Sequence, residues 1–215
     1  MPAWENKRPA KARLDYERIE SLVPDGAKVL DCGCGDGELL ADLIAQKGCV
    51  GRGIEKDEQA VLECVRRGLA VYHGDMLEGL GFYRDASFDV VILSQTLQQT
   101  VDPLAVIREM LRVGRQAIIS FPNFGHWLTR LQLLVAGRMP HNRLLPYHWY
   151  NTPNVHLCTV RDFREFAARN DLRTVREIFL ALRYQPISPF LANGRAGLAI
   201  FQLEKKVSAE ALQRH

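Results

Sequence analysis

Apolar residues recur at helical spacing over residues 14–23 (Tyr16, Ile19, Leu22, Val23), and Pro24-Asp25-Gly26 then breaks the period with turn chemistry. Short apolar runs and amphipathic segments alternate from there. Residues 28–31 read as a strand, and 38–46 as a helix with Leu39, Leu40, Leu43 and Ile44 on one face before Gly48. A strand over 49–55 follows, then a helix over 57–67 with Ala60, Val61, Cys64 and Val65 inward, and a strand over 69–73. Glycines 74, 79 and 81 mark a loop. The run FDVVIL at 88–93 is the strongest strand signal, because a continuous β-branched stretch is what a strand buried on both faces requires. Pro103 starts a helix carrying Val106, Ile107, Met110 and Leu111, and 116–121 is a fifth strand. Residues 127–136 offer Leu128, Leu131, Leu134 and Val135 as a helix, after which 137–158 runs through three prolines with no period. Thr159 with Asp162 caps a helix carrying Phe163, Phe166 and Ala167 to Asn170, and strands around 174–182 and 197–204 complete seven. Repeated strand–helix alternation with short connections specifies an α/β, doubly wound, mostly parallel seven-stranded sheet, Rossmann-like and built as a single domain.

Length and composition sharpen this reading. A chain of 215 residues favours one domain with extensions: a basic arm over 1–13, a domain over 14–205 containing a lid or docking insertion at 122–158, and a tail over 206–215. Charged residues at 25% and hydrophobic ones at 47% argue against a disordered chain or a coiled coil. A net charge of +3 is too small an excess to call for nucleic acid, and the basic residues Arg8, Lys11, Arg13, Arg66 and Arg67 do not join in one run. No apolar run approaches the ~20 residues that span a bilayer, and the first residues lack a signal peptide's apolar segment, so a cytoplasmic protein without membrane contact is expected. The five scattered cysteines read as reduced thiols rather than a disulfide framework.

The informative stretch is VLDCGCGDGEL at 29–39. A strand ends in an acid, and glycines 33, 35 and 37 then open a helix, so the backbone turns sharply and approaches a ligand where side chains would collide. A dinucleotide site would show G-x-G-x-x-G; here the spacing is G-x-G-x-G, flanked by Asp31 and Asp36. Carboxylates repel a diphosphate but suit a ligand bearing an ammonium and a sulfonium, which points to S-adenosylmethionine, or its product S-adenosylhomocysteine. Glu55 ends the second strand, where an acid accepts hydrogen bonds from ribose hydroxyls, and Asp75 and Met76 follow the third, placed for an adenine. The competing readings are plainer: Glu55 with Lys56 and Asp57 as a solvated loop that caps the following helix, Asp75 as a turn residue, and a C-x-C metal site at Cys32 and Cys34, which lacks a second pair at ligand spacing, so no metal is expected. A dehydrogenase reading rests on the glycine loop alone.

These residues, together with GDM at 74–76 and SFDVVILSQTLQ at 87–98, resemble class I methyltransferases. FPNFGHW at 121–127, GRMP at 137–140 and PYHWYNTPNVHLCTVRDF at 146–163 narrow the resemblance to the MetW family of methionine biosynthesis. What the resemblance implies is a seven-stranded class I methyltransferase fold, a site for S-adenosylmethionine, and a role beside a MetX-type homoserine O-acyltransferase. Carried over by position, Asp31, Gly33, Gly35 and Gly37 would hold the methionine half, Glu55 the ribose, Asp75 and Met76 the adenine, and Ser94 and Gln95 the edge near the methyl.

Methyl transfer asks for more. After strand four the sequence reads Ser94-Gln95-Thr96-Leu97-Gln98-Gln99, without the Asn/Asp-Pro-Pro-Tyr/Phe string of amino-group methyltransferases and without an acid or histidine, so that edge reads as chemically quiet. The remaining candidate bases are His126, His148, His156 and Tyr150, each with packing as the competing role. Trp127, Tyr147, Trp149 and Tyr150, with Arg130, Arg138 and Arg143, suit either a partner surface or a roof over the pocket. Two functions follow: an S-adenosylmethionine-binding partner or regulator of the acyltransferase with little or no methyl transfer, or a methyltransferase acting on a small metabolite. A homodimer is left open.

Overall fold

Eight strands join one sheet in the order β3-β2-β1-β4-β5-β8-β6-β7. They are β1 (Lys28–Cys32), β2 (Val50–Glu55), β3 (Val71–His73), β4 (Phe88–Ser94), β5 (Gly114–Pro122), β6 (Leu172–Leu180), β7 (Pro186–Ile187) and β8 (Leu198–Lys205). The computed structural model describes residues 15–142, 145–183 and 185–206. The 1–13 arm, Arg143 and nearly all of the 206–215 tail lie outside them. The strands β3, β2, β1, β4 and β5 are parallel, and β8 inserts antiparallel between β5 and β6. The seven expected strands are all present. The eighth, β7, is only two residues long, too short to leave a periodic signal.

Both faces of the sheet are covered, which explains the FDVVIL run. Val90 and Ile92 pack with Leu39, Leu40 and Leu43 of α2 (Glu38–Lys47) and with Ile19 of α1 (Tyr16–Glu20). Val91 and Leu93 pack on the other face with Val106, Ile107 and Met110 of α5 (Pro103–Val113). Alternate residues of one strand thus enter separate cores. Phe121, Phe163, Phe179 and Phe201 anchor the far half, with Phe163 and Phe201 ring centroids 4.5 Å apart. Phe163 comes from α7 (Val160–Arg169), whose Thr159 and Asp162 form the predicted reciprocal capping box.

Several expectations need correction. The glycine loop after β3 is a helix, α4 (Met76–Gly81), capped by Asp75 and pinned by fully buried Leu80. In α3 (Glu58–Arg66) only Cys64 is buried, and Val65 faces water at 59% exposure. β6 covers Leu172–Leu180, two residues earlier than expected. α6 (Trp127–Ala136) forms as predicted, but only Thr129 is buried on it, and its apolar residues face outward. A further short helix, α8 (Ala192–Arg195), precedes β8. No helix among the described residues is long and apolar enough to cross a membrane.

Candidate functional site

The sheet order reverses at β1, whose neighbours are β2 on one side and β4 on the other. The carboxyl ends of strands at such a reversal are the place where open parallel sheets take ligands. The G-x-G-x-G turn lies there, and all three glycines adopt left-handed backbone, φ being 70° at Gly33, 58° at Gly35 and 78° at Gly37. A Cβ at Gly37 would lie 2.3 Å from Leu69 Cδ1, whereas one at Gly35 would meet nothing within 4 Å. Gly37 is therefore demanded by packing against the protein, while Gly35 leaves open space of the kind a ligand would fill.

Glu55 organises this turn. Its Oε2 accepts from the Gly35 N–H at 2.8 Å, and its Oε1 accepts from the Lys56 and Asp57 N–H groups at 2.7 and 2.8 Å. Two carboxylate oxygens offer about four acceptor positions, so one on Oε2 stays available to a hydroxyl. The loop of Glu55, Lys56 and Asp57 does cap α3, through Asp57, which accepts from the Ala60 N–H at 2.8 Å, and that role is compatible with ligand recognition by Glu55. Asp31 is buried at the end of β1, at 2% exposure. Asp36 is exposed and paired with Arg67 at 3.2 Å. Asp75 accepts from the Leu77 N–H at 2.9 Å, and Met76 is half-buried against the core.

The C-x-C pair divides. Cys32 belongs to the core, and Cys34 turns toward Cys64 with a sulfur separation of 3.8 Å. Burial, reinforced by Asp31, pushes the Cys34 thiol up, and burial does the same to Cys64. Both therefore stay protonated in the free protein, a poor state for nucleophilic attack.

The edge of β4 is not chemically quiet. Asp15, fully buried just ahead of α1, brings a carboxylate there: its Oδ2 accepts from Ser94 Oγ at 3.3 Å and from Gln95 Nε2 at 2.7 Å. Its Oδ1 finds no hydrogen-bond partner among the described residues. Gln95 holds a left-handed backbone, φ 51°, a strained state for a side chain of its size, fixed by its N–H donating to the Ser120 carbonyl at 2.9 Å. Gln98 donates through Nε2 to the Gln95 carbonyl at 2.7 Å. Nothing in the sequence around Asp15 announces a meeting with a residue 79 positions away; the only available signal is an acid beside the aromatic that starts a buried helix.

The later candidates are scattered. His126 is buried, and its Nδ1 accepts from the Leu128 N–H at 3.2 Å as the N-cap of α6. His148 is exposed and stacked between His141 and Tyr150, at centroid distances of 4.5 and 5.4 Å. His156 is exposed, with Nε2 3.4 Å from the Val101 carbonyl. Cys158 is pushed up to about 12 by burial. Burial also lowers the His126 pKa below its ordinary 6.5, so the folded state holds this ring neutral. Its stabilisation is complete above the unfolded value and is lost as pH falls below it. We expect His126→Asn, which keeps a capping oxygen but cannot titrate, to lose less thermal stability than the wild type between pH 7 and pH 5, as read by melting curves.

The motif FPNFGHW owes its composition to packing. Asn123 Nδ2 donates to the carbonyls of Asn193 and Ala196 at 3.0 and 2.8 Å, and its Oδ1 accepts from the N–H groups of Gly125 and Val160 at 3.0 and 3.2 Å. This buried amide joins the end of β5 to the starts of α7 and α8.

Comparison with known proteins agrees with this geometry. A bifunctional methionine biosynthesis protein MetXA/MetW from Rhodopirellula baltica is 36% identical over 175 residues, 77% of this chain and 28% of that protein. A ubiquinone biosynthesis O-methyltransferase from Xanthomonas campestris is 34% identical over 62% of this chain and 58% of its own length. The chain thus spans between about a quarter and three fifths of these relatives. Among solved structures, magnesium protoporphyrin IX methyltransferase from Synechocystis, crystallised with bound S-adenosylhomocysteine, superposes with a TM-score of 0.63 at 20% identity, over 89% of this chain and 82% of that one. That likeness shows the class I methyltransferase fold. Residues 13–203 match the family described as Methionine biosynthesis protein MetW, and on that match, with the fold and the long aromatic motifs behind it, the chain belongs to the MetW family.

Proposed function

We propose that this protein binds S-adenosylmethionine in the crevice at β1, β2, β3 and β4 and acts in methionine biosynthesis as a partner and regulator of a homoserine O-acyltransferase, with little or no methyl transfer of its own. The observation that carries the binding half is the set of acceptors: a turn of three left-handed glycines, open at Gly35, with Asp31, Glu55 and Asp75 at or just after the ends of β1, β2 and β3. Acids at three adjacent strand ends favour a cationic nucleoside over a diphosphate. When bound, that ligand supplies an electrophilic methyl on a sulfonium. The chain's own residues do the recognising: Glu55 accepts a ribose hydroxyl on its remaining Oε2 position, Met76 packs on the base with Asp75 at its edge, and Asp31 sets the negative potential near the methionine half, beside Ser94 and Gln95.

The partner half is supported by the Rhodopirellula baltica relative, whose name joins MetXA and MetW in one polypeptide. S-adenosylmethionine is made from methionine, so a protein that binds it can couple its level to acylation by favouring one state of a complex. Low transfer activity is consistent with where the candidate bases lie: His126 is spent on a helix cap, while His148, Tyr150 and His156 are exposed. One observation favours the second reading, methyl transfer to a small metabolite: Asp15 supplies a carboxylate at the β4 edge. It is fully covered, however, so the first reading stands.

The acylation rate of the same organism's homoserine O-acyltransferase, measured with and without this protein at micromolar concentration, tests the regulatory role. The expected result is a rate that depends on the protein and shifts with S-adenosylmethionine. An enzyme indifferent to the protein overturns it.

A further inference from the structure

α6 has the sequence WLTRLQLLVA and buries only Thr129. Leu134 is 83% exposed and Val135 76%, with Trp127, Leu131 and Leu133 also open to water. Contiguous apolar surface of this kind costs about 25 cal/mol for every Å² left wet and marks an interaction site in soluble proteins. The surface continues beyond the helix. Gly137 turns the chain in a left-handed cap, and Asn142 Nδ2 donates to Gln132 Oε1 at 2.9 Å, fastening the following segment to α6. That segment folds around a cleft of about 190 Å³ lined by Met139, Leu145, Tyr147, Trp149, Val155 and Leu157. The cleft has the size and lining for one aromatic or branched aliphatic side chain, the kind of anchor that dominates protein interfaces. Arg130 on α6 and Arg138 just after it are exposed and give the face a cationic rim.

We infer that this face, α6 with the adjoining cleft, is the docking surface for the acyltransferase, which seats an apolar side chain in the cleft and sets carboxylates against the rim. The inference rests on the partner reading above. The acyltransferase is preferred to a second copy of this chain because a relative carries both units in one polypeptide, and because a face with a cationic rim meets its like in a symmetric dimer. The same segment is bonded on its inner side to the site: the N–H groups of Val155 and His156 donate to the Gln98 carbonyl at 2.8 and 3.0 Å, and Gln98 holds the Gln95 carbonyl at the β4 edge. A partner seated on the outer side is thus connected to the crevice through two residues, a short physical route between the two sites.

The test measures the affinity of the full chain for the same organism's acyltransferase by biolayer interferometry, with sedimentation velocity of each protein alone. The paired substitution Leu134→Asp with Val135→Asp should weaken the complex at least tenfold. Val65→Asp, an exposed apolar position on α3, should leave it unchanged. Both variants should keep the wild-type affinity for S-adenosylmethionine, which shows that they fold. A double variant that binds the acyltransferase as tightly as the wild type overturns the surface and leaves the partner reading standing. A wild type that never binds it overturns the partner reading, and this inference with it. A wild type that self-associates through this face, and becomes monomeric in the double variant, shows that a second copy covers the patch and overturns the assignment.

Discussion

Replacing Asn123 with alanine is expected to lower the stability of this protein more than any other single change considered. The buried amide serves two carbonyls and two N–H groups, on three separate segments. Its removal strands all four where water cannot easily replace it. Unsatisfied buried backbone groups cost about 1–3 kcal/mol each, but local relaxation rescues some, so we expect a net loss of about 3 kcal/mol, or roughly 6–12 °C in thermal midpoint for a chain of this size. Asn123→Asp should be at least as damaging, because a carboxylate cannot donate to the Asn193 and Ala196 carbonyls. Thermal denaturation monitored by circular dichroism reads both. A midpoint within about 2 °C of the wild type for the alanine variant, under 1 kcal/mol on the same scale, shows that the hub carries little of the fold.

Glu55→Ala carries the largest expected effect on binding. The substitution removes the proposed acceptor for the ribose and also the partner that holds the Gly35 N–H at 2.8 Å, so the glycine turn loses its brace as well. Loss of a charged hydrogen-bond acceptor is worth about 1–3 kcal/mol, roughly a 5- to 150-fold weaker affinity for S-adenosylmethionine. Glu55→Gln separates the two roles only in part, since its NH2 group must face an N–H where a carboxylate oxygen now accepts. Calorimetric titration of both variants checks the ordering, with the alanine variant weakest. Unchanged affinity in the alanine variant places the nucleoside elsewhere.

The parts of this architecture that could be read from sequence are those where one residue's role depends on its near neighbours. β4 was legible because alternate positions feed separate cores, so every residue of FDVVIL is apolar except the edge acid. The glycine turn was legible because three left-handed positions in five leave glycine as the ready choice. α4 was not, because a six-residue helix containing two glycines has no detectable period; Gly79 is there since a Cβ would meet Ile54 and Tyr72 at 2.8 and 2.9 Å. α6 was legible as a helix, but a nearly all-apolar segment does not say which side the core lies on. Asp15 was invisible for a third reason. Its meaning comes from Ser94 and Gln95, which the fold alone brings to it.

We propose that carboxylates at neighbouring strand ends build a site for a cationic nucleoside, and a titration of the wild-type protein is the decisive check. Heat measured against S-adenosylmethionine and against NAD, under one buffer condition, should give saturable one-to-one binding for the first and none for the second. Binding of NAD with no binding of S-adenosylmethionine rules out a site built for a cationic nucleoside.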